Sequence, residues 1–319
     1  MTTQDEFDVA VIGGGAGGLA AAVTLGRARR SVLVIDAGRP RNAPADGVHN
    51  FLTRDGLPPA ELVAIGREEV GRYGGEIRSG TAVAARAVRD GFEVDLVDGT
   101  QIRARRLVVA SGLVDELPDV PGLREQWGSG VVHCPYCHGW EISDQAIGVL
   151  GSGPMAVHQA LLFRQWSADL VLFLHTAPEP TTEQIEQLDA RDIAIVRGPV
   201  AAIEAGDAGL SGVRLGDGTV VARQAVVVGP RMVARSSVLE SLGLLPVPHP
   251  LGAEHGECYP ADAMGTTAVP GVWVAGNAGD IQAQVITAAS QGVMAGAAAN
   301  LSLITEDTAA AVQHRRSTS

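Results

Sequence analysis

The chain has 319 residues and 32.9 kDa, enough for roughly two domains of ~150 residues each. Forty glycines accompany 46% hydrophobic and 4% aromatic residues without any Gly-X-Y period, which excludes a collagen-like or disordered chain and assigns the glycines to local backbone geometry. A formal charge of -12 opposes binding to nucleic acid or an anionic membrane, and three cysteines make no disulfide framework, which suits a reducing cytoplasm.

Phe7 to Ile12 is a short apolar run, followed by a run of glycines, an Ala/Leu-rich segment and SVLVID: strand, turn, helix, strand. The uncharged stretch from Val9 to Gly26 fits neither a signal peptide nor a membrane anchor. Asp5, Glu6 and Asp8 stand where a signal needs positive charge, and its six glycines make a poor membrane helix. Ile77 to Val114 alternates β-favouring segments with Asp-Gly turns and predicts a small antiparallel insertion that returns to the sheet. Ala146 to Leu150 opens a second strand, glycine turn and helix, the helix running to about Trp166 and DLVLFLHT closing the unit. Val213 to Pro230 then repeats the meander pattern.

Proline clusters at Pro118 and Pro121, and at Pro246, Pro248 and Pro250, mark where two domains join. GVWVAGNAGD and the uncharged helix predicted from Ile281 to Thr305 lack a glycine turn of their own and most simply complete the first domain. The predicted division is therefore 1–117 plus 245–319, and 118–244. The tail from about Glu306 is expected to fray.

Gly13, Gly15 and Gly18 form G-x-G-x-x-G after a strand, and Asp36 ends the next strand, 23 residues beyond Gly13. The first glycine permits the tight turn, the second lets a pyrophosphate approach the backbone, the third packs helix on strand, and Asp36 can accept from ribose hydroxyls. Gly151, Gly153 and Ala156 make a weaker second fingerprint. Its second strand ends at His175 and Thr176, with neither a carboxylate for NAD nor an arginine pair for a 2′-phosphate.

HCPYCHGWE, residues 133 to 141, is the most informative string. C-x-x-C-H is the attachment signature of c-type haem, a chemistry of exported proteins. A zinc site could use Cys134, Cys137 and a flanking histidine, but Cys258 stands alone where a second ligand pair is usual, and no metal ligands are assigned. The string fits best as a redox dithiol, which two cysteines around a Pro-containing dipeptide can close with little strain. If Pro135 starts a helix, its unpaired amides would lower a nearby thiol pKa, and His138 could shuttle the proton of thiol exchange. Trp140 is expected to pack rather than act.

A flavin-type dinucleotide turn, a CxxC between two fingerprints and a terminal GVWVAGN together resemble the low-molecular-weight thioredoxin reductase family over nearly the whole chain. Within it, CPYCHGWE resembles the dithiol oxidases that close intramolecular disulfides in natural products of the gliotoxin and holomycin kind; ordinary reductases carry an aspartate where His138 stands. The resemblance implies an α/β fold of two Rossmann-like dinucleotide-binding domains with three-layer ββα architecture, the FAD domain being discontinuous, and a homodimer.

By that resemblance Gly13, Gly14, Gly15, Ala16, Gly17, Gly18, Asp36 and Arg41 would hold the pyrophosphate and adenosine end of FAD, with Val83 near the adenine and Ser111 along the cofactor. His49 and Asn50 match the loop beside the flavin. Asn277 takes the place of the aspartate that binds the ribitol chain, with Asp280 as a substitute, and Gln284 and Val285 match the helix start facing the flavin. Cys137 would be the flavin-proximal cysteine and Cys134 the one that exchanges with substrate. The family's His-Arg-Arg run reads His175, Thr176, Ala177, so NADPH would be bound weakly or not at all. Expected is an FAD-dependent oxidase of small-molecule dithiols using oxygen. An NAD(P)H-dependent disulfide reductase and a non-catalytic redox-sensing flavoprotein also fit the motifs.

Overall fold

The structure is a computed structural model that describes residues 6–207 and 209–318. Asp5 and the terminal Ser319 lie outside the described residues. The chain divides into two compact units: one runs up to Ala43, then Pro59–Val114, then from Met232 onward; the other comprises Pro44–Pro58 and Asp115–Arg231.

In the first unit β1 (Glu6–Ile12), α1 (Ala16–Arg27) and β2 (Val32–Asp36) form the expected strand, turn, helix and strand. After the 44–58 excursion come α2 (Pro59–Arg72), β3 (Glu76–Ser79), β4 (Ala82–Val88), β5 (Gly91–Leu96) and β6 (Gln101–Val109). Their sheet has the order β3-β2-β1-β6-β5-β4. β1 pairs in parallel with β2 and β6, while β4, β5 and β6 form the antiparallel meander. The meander is thus continuous with the main sheet, because β6 serves both. β7 (Leu113–Glu116) leads out of the unit.

The second unit contains β8 (Val131–Val132), the single-turn helix α3 (Pro135–His138), β9 (Ile147–Leu150), α4 (Ala156–Phe163), β10 (Leu170–Phe173), α5 (Thr182–Asp189) and β11 (Ala194–Val196). An antiparallel set, β12 (Val200–Gly206), β13 (Gly209–Leu215) and β14 (Val220–Ala222), precedes β15 (Ala225–Val228). The central sheet, β11-β10-β9-β15-β8, is parallel throughout. β9, β10 and β15 are buried along their whole length, as the continuous apolar runs of a doubly covered sheet require.

The chain returns through β16 (Arg231–Ala234), α6 (Ser237–Ser241), β17 (Val247–Pro248), β18 (Gly256–Cys258), β19 (Val272–Val274) and the 34-residue α7 (Val285–Thr318). β7, β16, β18 and β17 form a small four-stranded sheet, and β19 adds to β6 in parallel. Residues 232–244 fall in the first unit rather than the second, because Ala234, Val238, Leu239 and Leu244 join the core built on β4, β5 and β6. Among the described residues no helix is long and apolar enough to cross a membrane.

α7 buries Gly292, Ala295, Gly296, Ala299 and Leu303, and α1 buries Gly17, Gly18, Ala21, Ala22 and Leu25, so the two helices meet through small residues. A methyl group on Gly292 would collide with the Gly17 carbonyl oxygen, and one on Gly296 would lie 2.9 Å from that of Ala21. The tail does not fray at Glu306: the helix runs on to Thr318. Glu306 bonds Arg105 and Arg106, and Asp307 bonds Arg30 and Arg105, which ties the helix to the β1–β6 layer where composition alone showed only a polar end.

Gly292→Ala should cost about 1–3 kcal/mol, because a backbone carbonyl cannot swing aside as a flexible side chain can; a thermal melt should fall by several degrees, and an unchanged melt would refute the close approach. The arginines hold the Glu306 and Asp307 carboxylates below their ordinary values of 4.5 and 3.8. A carboxylate depressed in the folded state stabilises above its ordinary value and loses that contribution as the pH falls through the depressed one. Melting curves between neutral pH and about pH 3 should therefore converge for the wild type and a Glu306→Gln, Asp307→Asn double variant, with the variant weaker at neutral pH.

Candidate active site

In the first unit the glycine turn follows β1 directly. Gly13 has φ +105°, and any side chain there would strike the Ala110 carbonyl oxygen. A side chain on Gly18 would collide with the Gly13 carbonyl oxygen, so α1 starts hard against the strand end. Gly14 donates its N–H to Asp36 Oδ1 at 3.1 Å, and Arg67 Nη1 lies 2.8 Å from Asp36 Oδ2. Asp36 thereby braces the turn it was expected to serve. Arg67 had no motif to reveal it, since it comes from α2 and meets Asp36 only in the fold.

Gly15 is the contrasting position. It caps α1 in an extended conformation (φ -79°, ψ -175°), and nothing lies within 4 Å of where its side chain would point. An open backbone at a helix start beside an acidic strand end fits a bound dinucleotide phosphate. Gly17 stands near Ala275, Gly276 and Ala288, which brings the α1 start, the 3-10 turn at Gly276–Ala278 and the first turns of α7 together. Gln284 caps α7, its carbonyl accepting from the Ala288 N–H at 2.8 Å, and Val285 is the first helical residue.

The side-chain amide of Asn277 donates to the carbonyls of Asp280, Ile281 and Ala283 at 3.0, 3.3 and 2.9 Å. A carboxylate could not donate these bonds, which is a physical reason for asparagine here. Asp280 accepts from the Gln282 N–H and from Gln291 Nε2, each at 3.0 Å. Arg41 lies in the turn after β2, Val83 is partly exposed on β4, and Ser111 is exposed after β6 with its N–H beside Gly13.

The second unit holds the dithiol motif. Cys134 and Cys137 form a disulfide with a Cα–Cα distance of 5.3 Å, within the span a disulfide bridges, and Cys258 is free. Pro135 occupies the first helical position, where its missing N–H costs nothing, and the amides of Cys137 and His138 return to the Cys134 carbonyl at 3.3 and 3.1 Å. Gly139 then leaves room for Trp166, which packs on Tyr136 and Phe163. The packing role expected of Trp140 falls to Trp166; Trp140 itself is 80% exposed in this chain, because the turn after α3 carries it outward.

His49 and Asn50 lie in this unit, on the 44–58 segment. Asn50 donates its side-chain amide to the Tyr136 carbonyl at 2.6 Å, inside the CxxC turn. His49 stands between two carboxylates, Nε2 being 3.2 Å from Glu141 Oε1 and Nδ1 3.4 Å from Asp55 Oδ2. His138 is half-buried, and burial lowers its pKa; Glu141 and Asp46 oppose that shift, and His49 adds to it. A lowered pKa leaves the imidazole neutral near pH 7 and able to accept a proton. Glu141 belongs to the singled-out string, three residues after His138, yet its partner is 92 positions away in the sequence.

At the second fingerprint, Gly151 packs closely under Leu174 and Ala177 while Gly153 faces open space as Gly15 does. The shape of a phosphate turn is present without its charges. His175 at the end of β10 accepts the Val200 N–H on Nδ1 at 3.0 Å, and burial lowers its pKa, so it is a neutral structural acceptor. Arg197, after β11, sits 3.2 Å from Glu179.

The sequence profile of the pyridine nucleotide-disulphide oxidoreductases matches residues 7–292. The chain belongs to that family. It is a thioredoxin-reductase-like oxidoreductase, of a kind that depends on FAD. The thioredoxin reductase tcpT of Claviceps purpurea is 30% identical, over 96% of this chain and 97% of its own. The thioredoxin reductase sirT of Leptosphaeria maculans is 31% identical, over 97% and 98%. Among solved structures, HlmI is 45% identical with a TM-score of 0.91, covering 100% of this chain and 98% of its own. An oxidoreductase from Agrobacterium tumefaciens is 36% identical with a TM-score of 0.88, over 94% and 99%. These similarities bear out the two-domain Rossmann-like fold expected from the motifs.

Because a β-carbon at Gly15 has no neighbour within 4 Å, Gly15→Val should leave the fold intact while filling the phosphate space. The purified variant should keep the wild-type far-UV circular dichroism and lose most of its flavin absorbance; full flavin content would remove Gly15 from the cofactor cradle.

Proposed function

We propose that the protein oxidises a small-molecule dithiol to an intramolecular disulfide, with oxygen as the final electron acceptor. The observation that carries this reading is His138, half-buried directly after the Cys134–Cys137 disulfide, where burial lowers the pKa of the imidazole. A base suits the removal of protons from substrate thiols, just as the reductases' acid suits the opposite direction.

In the exchange, His138 takes the proton of the first substrate thiol, and the thiolate attacks Sγ of Cys134. The Cys134–Cys137 bond breaks and Cys137 leaves as thiolate. The second substrate thiol, likewise deprotonated, attacks the substrate sulfur of the mixed disulfide and releases Cys134. The substrate has lost two electrons and two protons, and the cysteine pair has gained the electrons. By the family resemblance Gly13 to Gly18, Asp36, Arg41, Val83, Ser111, His49, Asn50, Asn277, Gln284 and Val285 would hold FAD, whose chemistry is to accept an electron pair from a dithiol and to be reoxidised by oxygen, giving hydrogen peroxide.

The second fingerprint supports the same direction. His175 is committed to the Val200 amide, Thr176 and Ala177 carry no charge, and Arg197 at the end of the neighbouring β11 is paired with Glu179, so the reductases' arginine pair is missing from the end of β10. The open space at Gly153 is the one observation that favours an NAD(P)H-dependent disulfide reductase. A cytoplasmic location, which the cysteine usage suits, and a homodimer, which the resemblance implies, belong to this reading.

Anaerobic mixing with dithiothreitol should bleach the flavin of the purified protein, and admission of air should restore its colour with one peroxide per dithiol. Cys137→Ser should abolish bleaching. Rapid bleaching by NADPH or NADH with none by dithiols would overturn the oxidase in favour of the reductase. Bleaching by neither donor would favour a redox sensor.

A further inference from the structure

Among the described residues the two most exposed large hydrophobic side chains are Leu52 and Trp140, at 81% and 80%. Single exposed apolar residues are ordinary on a protein surface. These two, far apart in the sequence, are carried by segments bonded to one another. Asn50, just before Leu52, donates its side-chain amide to the Tyr136 carbonyl at 2.6 Å, and His49 Nε2 lies 3.2 Å from Oε1 of Glu141, the residue after Trp140. Tyr136, which stands between the cysteines, is itself 58% exposed.

The backbone sets Trp140 over the dithiol turn. Gly139 keeps helical dihedrals, φ -64° and ψ -35°, and its N–H returns to the Pro135 carbonyl at 2.7 Å, so the helical path of α3 runs on to residue 140. Residues three and four apart are neighbours on such a path, and a helical side chain leans toward the turn before it. Trp140 thereby stands beside Cys137 and Tyr136, on the side that faces water. The opposite side of the turn is taken by Trp166, which lies against Gly139 and the Tyr136 ring. Leu52 is at the tip of the adjoining loop, which the Arg54 N–H closes onto the Phe51 carbonyl at 2.8 Å.

We propose that Trp140, with Tyr136 and Leu52, forms the apolar face that selects the substrate of the exchange: an uncharged dithiol whose sulfurs are carried on a flat apolar framework. This rests on the oxidase reading, since it concerns the dithiol that reaches Cys134. An indole offers such a framework a surface to stack on and water to shed, and offers a hydroxylated chain neither. Glu141 and Asp55, on either side of His49, put negative charge at the edge of this face, which disfavours a thiol that carries a carboxylate. Three side chains of at most ~250 Å² each fall short of the ~800 Å² per partner of a stable protein interface, whereas they cover one face of a small molecule.

Dithiothreitol and the ortho-bis(mercaptomethyl) derivative of benzene close rings of the same size, one hydroxylated and one aromatic. The oxidised holoprotein is mixed anaerobically with each and quenched with an alkylating reagent, so that opening of the Cys134–Cys137 disulfide is counted while flavin bleaching is followed in parallel. Rates are divided by those with a small free disulfide, which removes the intrinsic reactivity of each thiol. The wild type should prefer the aromatic dithiol about tenfold at low concentration. Trp140→Ala should lose most of that preference through a higher half-saturating concentration rather than a lower limiting rate, Leu52→Ser should lose part of it, and Trp140→Phe should keep it. Equal rates for both dithiols in the wild type, or a preference that survives Trp140→Ala, would overturn the proposal. So would a limiting rate that falls alike for both, the mark of a structural defect. Slower exchange of Trp140→Ala with a reduced thioredoxin, at an intact small-dithiol preference, would give the face to a protein partner instead. A preference in disulfide opening with no flavin bleaching would sink the oxidase reading and leave the apolar face standing. Bleaching and peroxide on admission of air, without any preference, would do the reverse.

Discussion

No atom can stand between the Gly13 carbonyl oxygen and the α-carbon of Gly18, and the first unit is built around that contact. It sets α1 against the end of β1, and α1 then presents Gly17 and Ala21 to α7, where Gly292 and Gly296 answer with equally bare backbone. One requirement for backbone proximity therefore runs through the phosphate turn, the first helix and the last.

Charge is distributed to match. The acidic balance of the chain is not spread evenly over function: arginines gather where Glu306 and Asp307 anchor α7, and Arg67 meets Asp36. The end of β10 reads His175, Thr176, Ala177, with Arg197 after the neighbouring strand paired to Glu179. In the second unit, carboxylates instead surround two histidines, one of them next to the disulfide. A half-buried imidazole whose pKa is lowered by burial is able to accept a proton.

The phosphate turn, Asp36 and the dithiol turn were legible because each is a local pattern, whereas the uncharged run placed the last helix from Ile281 and α7 starts at Val285. Strand, glycines and helix follow one another within a few residues, and Pro135 announces the single turn between the cysteines. The 44–58 segment was not legible in this way. It is flanked on both sides by residues of the first unit, and its allegiance to the second comes from Asn50 meeting Tyr136 and His49 meeting Glu141, contacts 86 and 92 residues apart. The continuation of α7 past Glu306 escaped for the same reason, since its partners Arg105 and Arg106 lie about 200 positions earlier. Trp140 shows the converse error: a large aromatic beside a cysteine motif invites a core assignment, yet the core place was already taken by Trp166.

The 44–58 segment also shows how local strain is held. Asn50 and Thr53 both have positive φ, a conformation that costs an ordinary residue of order 1 kcal/mol or more. Strain of that kind persists only where several contacts agree on one geometry. Here Val48 and Leu57 bridge the ends of the loop, Asp55 accepts from the Asn50 amide, and the Asn50 side chain closes on Tyr136. Two of these contacts are made within the loop and the third with the dithiol turn itself. The geometry of His49 is thus tied, through Asp55 and Asn50, to the backbone that carries the disulfide.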